Sequence, residues 1–167
     1  APVAADVSSL SPGTYTYLGT TRAGATWGPT DAAPTEAGTY EVTMSWANAN
    51  ENDYRTPPDM RATLVVNPLA LTLDEPEAPV YTGLPLTPTL HVTDPSGAEV
   101  DEAGAHGPNW VAAWSNNTSA GGGTAVVTVT GRGNYEGSPS VRFTILPAQV
   151  TIPRLTAGTP STHPLTY

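Results

Sequence analysis

The chain has 167 residues, no cysteine, no lysine and a net charge of −9, from 6 arginines and 15 acidic residues. The lack of cysteine excludes a disulfide framework, cysteine zinc sites and thiol catalysis, and the lack of lysine excludes Lys–Asn isopeptide cross-links. An acidic surface without lysine repels phosphate backbones and anionic lipid headgroups. We therefore expect no nucleic-acid partner and, since no apolar run reaches 18 residues, no membrane insertion.

The composition favours short strands joined by many turns. There are 18 prolines and 16 glycines, and no stretch of a dozen residues carries a helical apolar stripe that is free of both. Chains of this kind fold as sandwiches or barrels of antiparallel strands. The predicted fold class is therefore all-β.

In the first half of the chain, alternation of apolar and polar residues predicts three strands. They are Gly13–Thr20, Thr39–Trp46 and Met60–Val66. The segment between the first two strands is rich in glycine and proline and is predicted to be a loop. The polar segment before Met60 is predicted to be a turn.

In the second half, the pattern predicts two long strands and several short ones. Residues 69–79 carry three carboxylates and two prolines, which indicates a short, stiff connector. A turn is predicted at Pro95–Gly97, followed by a small strand that ends at Val100. Later strands are predicted within Asn109–Asn117, at Thr124–Thr130 and at Ser140–Leu146, where apolar residues alternate again.

The two halves repeat one pattern. A Gly-Thr start, an alternating strand, a polar turn and an Asn-x-Tyr or Asn-Tyr corner appear at residues 37–54 and again at residues 122–135. Tyr54 and Tyr135 close the two corners, and a proline follows the next strand in each case, at Pro68 and Pro147. A period of about 80 residues built from strands predicts tandem β modules. The predicted modules are residues 1–68 and 69–152, and residues 153–167 are interpreted as a linker and the start of a truncated third repeat.

The second module carries a specific sequence pattern. It contains Tyr-x-Gly, Asn-Asn-x-x-Ala-Gly and Gly-x-Gly-Asn-Tyr-x-Gly, and then a Phe-x-Ile strand. The residues that match are Tyr81, Gly83, Asn116, Asn117, Ala120, Gly121, Gly131, Gly133, Asn134, Tyr135, Gly137, Phe143 and Ile145. In this pattern the chain resembles the Tyr-x-Gly-type repeats of very large bacterial cell-surface and secreted proteins, and the first module is similar to bacterial immunoglobulin-like repeats of the same adhesin-like proteins.

The resemblance implies two tandem antiparallel immunoglobulin-like β-sandwich modules with no enzymatic residues. It implies a structural spacer on the bacterial surface or outside the cell, a monomer whose partners are neighbouring repeats of the same chain. Two other functions stay open: a module that binds a host glycan or protein, and an accessory module of a secreted carbohydrate-active enzyme. The alternative fold is a β-grasp module, which needs a helix near residues 101–114, where Gly104, Gly107 and Pro108 disfavour one.

No catalytic or cofactor-binding residue is predicted. Trp27 lies among small residues next to Gly28-Pro29 and is the candidate for stacking on a glycan. The weak calcium candidates share one polar turn and offer oxygen ligands, although such turns also form for backbone reasons; they are Asn50, Glu51, Asn52 and Asp53. The three histidines, His91, His106 and His163, are interpreted as surface or strand residues.

The remaining tryptophans are predicted to be buried, because each shares a strand face with apolar or small residues at every second position. These are Trp46, Trp110 and Trp114. The restricted backbone at Pro76 and Pro79 further predicts that the two modules lie end to end with a small interface.

Overall fold

A computed structural model describes residues 10–48 and 55–151 of the chain. The described residues form thirteen strands and no helix, which confirms the predicted all-β class. The sheets are antiparallel apart from one short parallel pair and are consistent with a β-sandwich. No helix in the described part of the chain is long and apolar enough to cross a membrane.

The N-terminal part folds as one four-stranded sheet in the order β2-β1-β3-β4. The strands are β1 (Leu10–Thr21), β2 (Thr26–Thr30), β3 (Gly38–Asn48) and β4 (Met60–Val66). Three of them confirm predicted strands. β2 was missed because Gly28 and Pro29 interrupt its pattern. Proline is tolerated there because β2 is an edge strand and needs no N–H toward solvent.

The C-terminal part is built around a three-stranded antiparallel sheet in the order β10-β11-β13. Short strand pairs surround it. In chain order the strands are β5 (Leu69–Ala70), β6 (Thr72–Leu73), β7 (Val92–Thr93), β8 (Ala103–Gly104), β9 (Gly107–Pro108), β10 (Trp110–Ser115), β11 (Gly121–Gly131), β12 (Tyr135–Glu136) and β13 (Ser140–Ile145).

Residues 101–114, where a β-grasp helix would lie, form β8, β9 and the start of β10. The stiff connector predicted at residues 69–79 begins with residues that form paired strands. β5 pairs with β12 and β6 pairs with β7, so these residues belong to the C-terminal part. The cause is the apolar alternation of Leu71 and Leu73, which are both buried and outweigh the acidic residues that follow.

The main core of the described residues lies in the C-terminal part. One face of the sheet supplies Trp110, Ala125, Val127, Val129, Phe143 and Ile145, and the segment that precedes the sheet supplies Leu71, Leu73, Val92 and Val100. Period-two alternation produces this face, since Ala125, Val127 and Val129 are fully buried while the residues between them are half-buried. Two layers of β structure therefore enclose this core.

The pairing at the first residue of the central strand repeats between the two sheets, although the register of β11 with β13 then shifts between Gly121 and Ala125, where that of β3 with β4 has no shift. Gly38 opens β3 and pairs with Val66 at the end of β4, and Gly121 opens β11 and pairs with Ile145 at the end of β13. Each central strand is flanked by two antiparallel neighbours. The N-terminal sheet is a single layer among the described residues, and Tyr40 is its largest fully buried side chain.

Candidate functional site

The most highly organised polar region lies where the N-terminal sheet meets the C-terminal part. We call it the junction. Its N-terminal side is formed by Arg22, in the turn between β1 and β2, and by Glu36 and Ala37, in the loop between β2 and β3. Its C-terminal side is formed by His106, in the turn between β8 and β9, and by the turn Gly131–Gly137 between β11 and β13.

Glycines shape the Gly131–Gly137 turn. Gly133 and Gly137 have φ of 54° and 95°, in the left-handed region that suits glycine. A Cβ on Gly131 would lie 2.8 Å from the backbone of Tyr135 and Glu136. The Gly-x-Gly-Asn-Tyr-x-Gly pattern is therefore a backbone requirement, and it presents the asparagine at the tip of the turn.

Asn134 joins the two parts of the chain. Its Oδ1 accepts a hydrogen bond from the backbone N–H of Ala37 at 2.8 Å. Its carbonyl oxygen accepts a second from the N–H of Leu69 at 2.8 Å, where β5 starts. Ala37 is only 3% exposed, so this side chain satisfies a buried donor that would otherwise be costly to leave unpaired.

Arg22 makes the second set of contacts across the junction. Its guanidinium donates to the carbonyl oxygens of Gly133, at 3.2 Å, and Tyr135. Its backbone N–H donates to the carbonyl of Ala37 at 2.7 Å. The five donors of a guanidinium suit it to several carbonyls of one turn, so Arg22 holds the Gly131–Gly137 turn against the N-terminal sheet.

An ionisable pair completes the junction. His106 Nε2 lies 2.9 Å from Glu36 Oε1, and the Glu36 side chain is only 17% exposed. The Glu36 carbonyl accepts a hydrogen bond from the Tyr40 hydroxyl at 2.7 Å. Burial and then the Glu36 carboxylate raise the pKa of Tyr40. The junction therefore extends into the buried part of the N-terminal sheet.

A cleft of about 300 Å³ opens beside these contacts. Its lining is mainly polar and includes Arg22, Glu36, His106, Asn109, Arg132 and Asn134. Arg22 already donates to two carbonyls and Glu36 already contacts His106. Most of the polar side chains that line the cleft therefore already hold the N-terminal sheet against the C-terminal part.

The other motif residues also have structural roles. Asn116 has a φ of 54°, a left-handed conformation that asparagine tolerates better than most residues. Asn117 donates from Nδ2 to the Leu86 carbonyl at 2.9 Å, and its own carbonyl accepts from the Leu86 N–H at 2.9 Å. This exchange fixes the segment after Gly83 against the end of the sheet.

The predicted glycan candidate, Trp27, is half-buried on the edge strand β2. Its ring packs edge-on against Tyr40 at a centroid distance of 6.2 Å. Its indole N–H donates to the Ala32 carbonyl at 3.4 Å. Trp27 lies outside the junction.

The calcium candidates, Asn50 to Asp53, and the corner residue Tyr54 lie outside the described residues, as does His163. Within the described ranges no group of three or more His, Asp or Glu residues is arranged to hold a metal ion. His91 lies 3.1 Å from Glu99 through Nδ1, far from the junction in the sequence.

Of the three tryptophans predicted to be buried, one is buried and two are half-buried. Trp110 is buried, as predicted, and its indole N–H donates to the Val100 carbonyl at 2.8 Å. Trp46 and Trp114 are half-buried rather than buried. Trp114 shares the face of Trp110, but it lies at the end of β10, where it packs edge-on against Phe143 at 5.8 Å.

Sequence reasoning missed Arg22, Glu36 and His106 as junction residues. They are isolated charged residues in loops, and their partners lie 70 to 113 positions away in the chain. The sequence offers one indication for Arg22, because it is one of only six arginines in a chain with 15 acidic residues. Asn134 and its glycines were recognised as part of a repeat, although not as a contact.

Comparison with family models, with curated proteins and with solved structures finds no match to the chain.

Proposed function

We propose that the chain is a pair of tandem immunoglobulin-like repeat units, residues 1–68 and 69–152, and that they serve as a non-catalytic spacer in an adhesin-like bacterial protein. The location is outside the cell or attached to its surface. The observation that carries the proposal is the Asn134–Ala37 hydrogen bond. It connects the repeated Asn-Tyr corner of one unit to the start of the repeated strand in the other.

The chemistry of the junction supports a structural role. The motif glycines shape a turn, Asn134 and Arg22 satisfy backbone groups, and Asn117 holds a loop. The two groups with shifted pKa values have similar roles. Tyr40 donates to a backbone carbonyl, and Asp94 accepts hydrogen bonds within its own turn. The sequence motif is thus used to build and join units.

A spacer requires units that lie in series and share only a narrow contact, because each added unit then increases its reach.

The proposal is tested by adding a unit. A chain in which a second copy of residues 69–151 follows Pro147 reproduces the Pro68–Leu69 connection. β11 has 11 residues and so spans about 36 Å. We expect the maximum dimension from small-angle scattering to increase by about 30–40 Å. An unchanged maximum dimension would show that the units fold back on one another and do not act as a spacer.

Trp27 provides the second candidate function, the binding of a host glycan. Part of its ring remains accessible on the edge strand. A glycan array comparing the parent chain with Trp27→Ala distinguishes the two proposals. A spacer gives no hit that depends on Trp27, and Trp46→Ala serves as the control for general loss of aromatic surface. A hit lost only in Trp27→Ala would favour glycan binding.

A further inference from the structure

The end of the C-terminal part that lies opposite the junction carries an exposed apolar surface, which we call the distal surface. It includes five large exposed side chains, namely Val80, Tyr81, Leu84, Leu146 and Val150. A depression of about 440 Å³ is lined there by Tyr81, Ser119, Ala120, Pro147, Ala148 and Val150.

The distal surface matches the N-terminal side of the junction by register. Gly38 and Gly121 each open a central strand and pair with the last residue of the closing strand, Val66 or Ile145. Ala37 and Ala120 therefore occupy equivalent positions, each immediately before this glycine. Ala37 is buried and donates to Asn134, whereas Ala120 is exposed.

The chain after the closing strand repeats as well. Leu71 follows Val66 by five positions, and Val150 follows Ile145 by five positions. Leu71 is 7% exposed because it lies in the core of the C-terminal part, whereas Val150 is 86% exposed. The C-terminal part therefore covers this end of the N-terminal sheet, whereas no described part of the chain covers the equivalent distal surface.

We propose that the distal surface docks the Gly-x-Gly-Asn-Tyr turn of a further β unit that follows in series. The asparagine of that turn accepts a hydrogen bond from the Ala120 N–H, as Asn134 does from Ala37. Val150 then lies in the core of the following unit, at the position that Leu71 has in the C-terminal part. The proposal rests on the spacer function and specifies how successive units are joined.

The occupant is a following unit and not the same turn of a separate molecule. In every copy of this chain the Gly131–Gly137 turn is already docked on its own N-terminal sheet, through Asn134 and through Arg22. Among the described residues no arginine lines the depression in the distal surface, and its polar side-chain groups are the hydroxyls of Tyr81 and Ser119. Contacts at this second junction are therefore the asparagine hydrogen bond and apolar packing, without the guanidinium.

Amide exchange in the three-unit chain tests the proposal. We compare the exchange rate of the Ala120 amide in residues 1–151 followed by residues 73–151 with its rate in the parent chain, because this fusion keeps Val150 two positions before Leu73, where Leu71 lies in the C-terminal part. Docking is expected to slow exchange at Ala120 by about tenfold or more, because the amide gains a buried acceptor. Changing only the third-unit copy of Asn134 to alanine should restore fast exchange, whereas Asn134→Asp, which keeps an acceptor oxygen, should not.

The fold of the added unit is followed at the amide of its own Ala125, at the centre of the sheet. Unchanged exchange at Ala120 beside a folded third unit would overturn the proposal. So would a third unit that stays unfolded, since the identical sequence folds against the N-terminal sheet. An increase in maximum dimension without protection of Ala120 would overturn docking alone and leave the spacer function in place.

Discussion

At the scale of single residues, one asparagine links the repeated sequence to the junction. The Asn134 side chain accepts from a buried backbone N–H, that of Ala37, while its backbone carbonyl accepts from Leu69. An unpaired buried donor costs more than the net gain from the hydrogen bond itself. The contribution of Asn134 is therefore best measured by removing its side-chain oxygen.

We predict that Asn134→Ala lowers the free energy of unfolding by about 1–3 kcal/mol, because the Ala37 N–H is left without its acceptor. Asn134→Asp is the matched control, since it keeps an acceptor oxygen beside Arg22. Chemical denaturation gives the stability, and amide exchange at Ala37 localises the effect. Equal exchange at Ala37 in the parent and in Asn134→Ala would show that the contact contributes nothing.

Trp110 provides a second prediction at this scale. Its ring is buried in the core and its N–H donates to the Val100 carbonyl. Trp110→Ala should destabilise the chain by about 3–5 kcal/mol through lost burial and a cavity. Trp114→Ala is the comparison and should cost less, because Trp114 is only half-buried. Thermal unfolding measures both, and equal losses would contradict the assignment of the core face.

At the scale of elements, the turn from Asp94 to Ala98 is held by one carboxylate. Asp94 Oδ1 accepts from the Ser96 hydroxyl at 2.6 Å and from the N–H groups of Ser96 and Ala98. The Ser96 hydroxyl is the main cause of a lowered pKa at Asp94, and the backbone N–H groups lower it further. The turn predicted at Pro95–Gly97 is thus confirmed, together with the reason that it forms.

A lowered pKa in the folded state means that the carboxylate stabilises the turn above its unfolded pKa of about 3.9. This stabilisation is lost as the pH falls through the lower, folded value. We predict that Ser96→Ala raises the pKa of Asp94 toward the ordinary value, as measured by NMR titration. Ser138→Ala, at another exposed serine, should leave it unchanged. A pKa of Asp94 that does not respond to Ser96→Ala would contradict this origin of the shift.

Sequence periodicity predicts the strands along which apolar and polar residues alternate and misses those that lack this alternation. β3, β4, β10 and β13 were predicted because apolar residues alternate along them. β2, β8 and β9 contain glycine or proline; β2 was predicted as loop and β8 and β9 were not predicted, since edge and hairpin positions need no apolar alternation. The start of the connector was misread because charge and proline content hid the burial of Leu71 and Leu73.

The junction could be predicted only in part. The Gly-x-Gly-Asn-Tyr-x-Gly pattern identifies a turn, because its glycines have φ values that other residues avoid. The partners of that turn, Arg22 and Ala37, are about 100 positions away in the sequence. No local propensity relates residues at that separation, so only the folded structure shows the contact.

At the scale of the whole molecule, the proposal is that two small units lie in series and are joined by a narrow polar junction. Small-angle scattering of the 167-residue chain tests this most directly. A single compact domain of this length has a radius of gyration of about 15 Å. The series arrangement predicts about 20 Å or more, with a distance distribution extended well beyond that of a sphere. A radius of gyration of about 15 Å, with a symmetric distance distribution, would contradict the proposal.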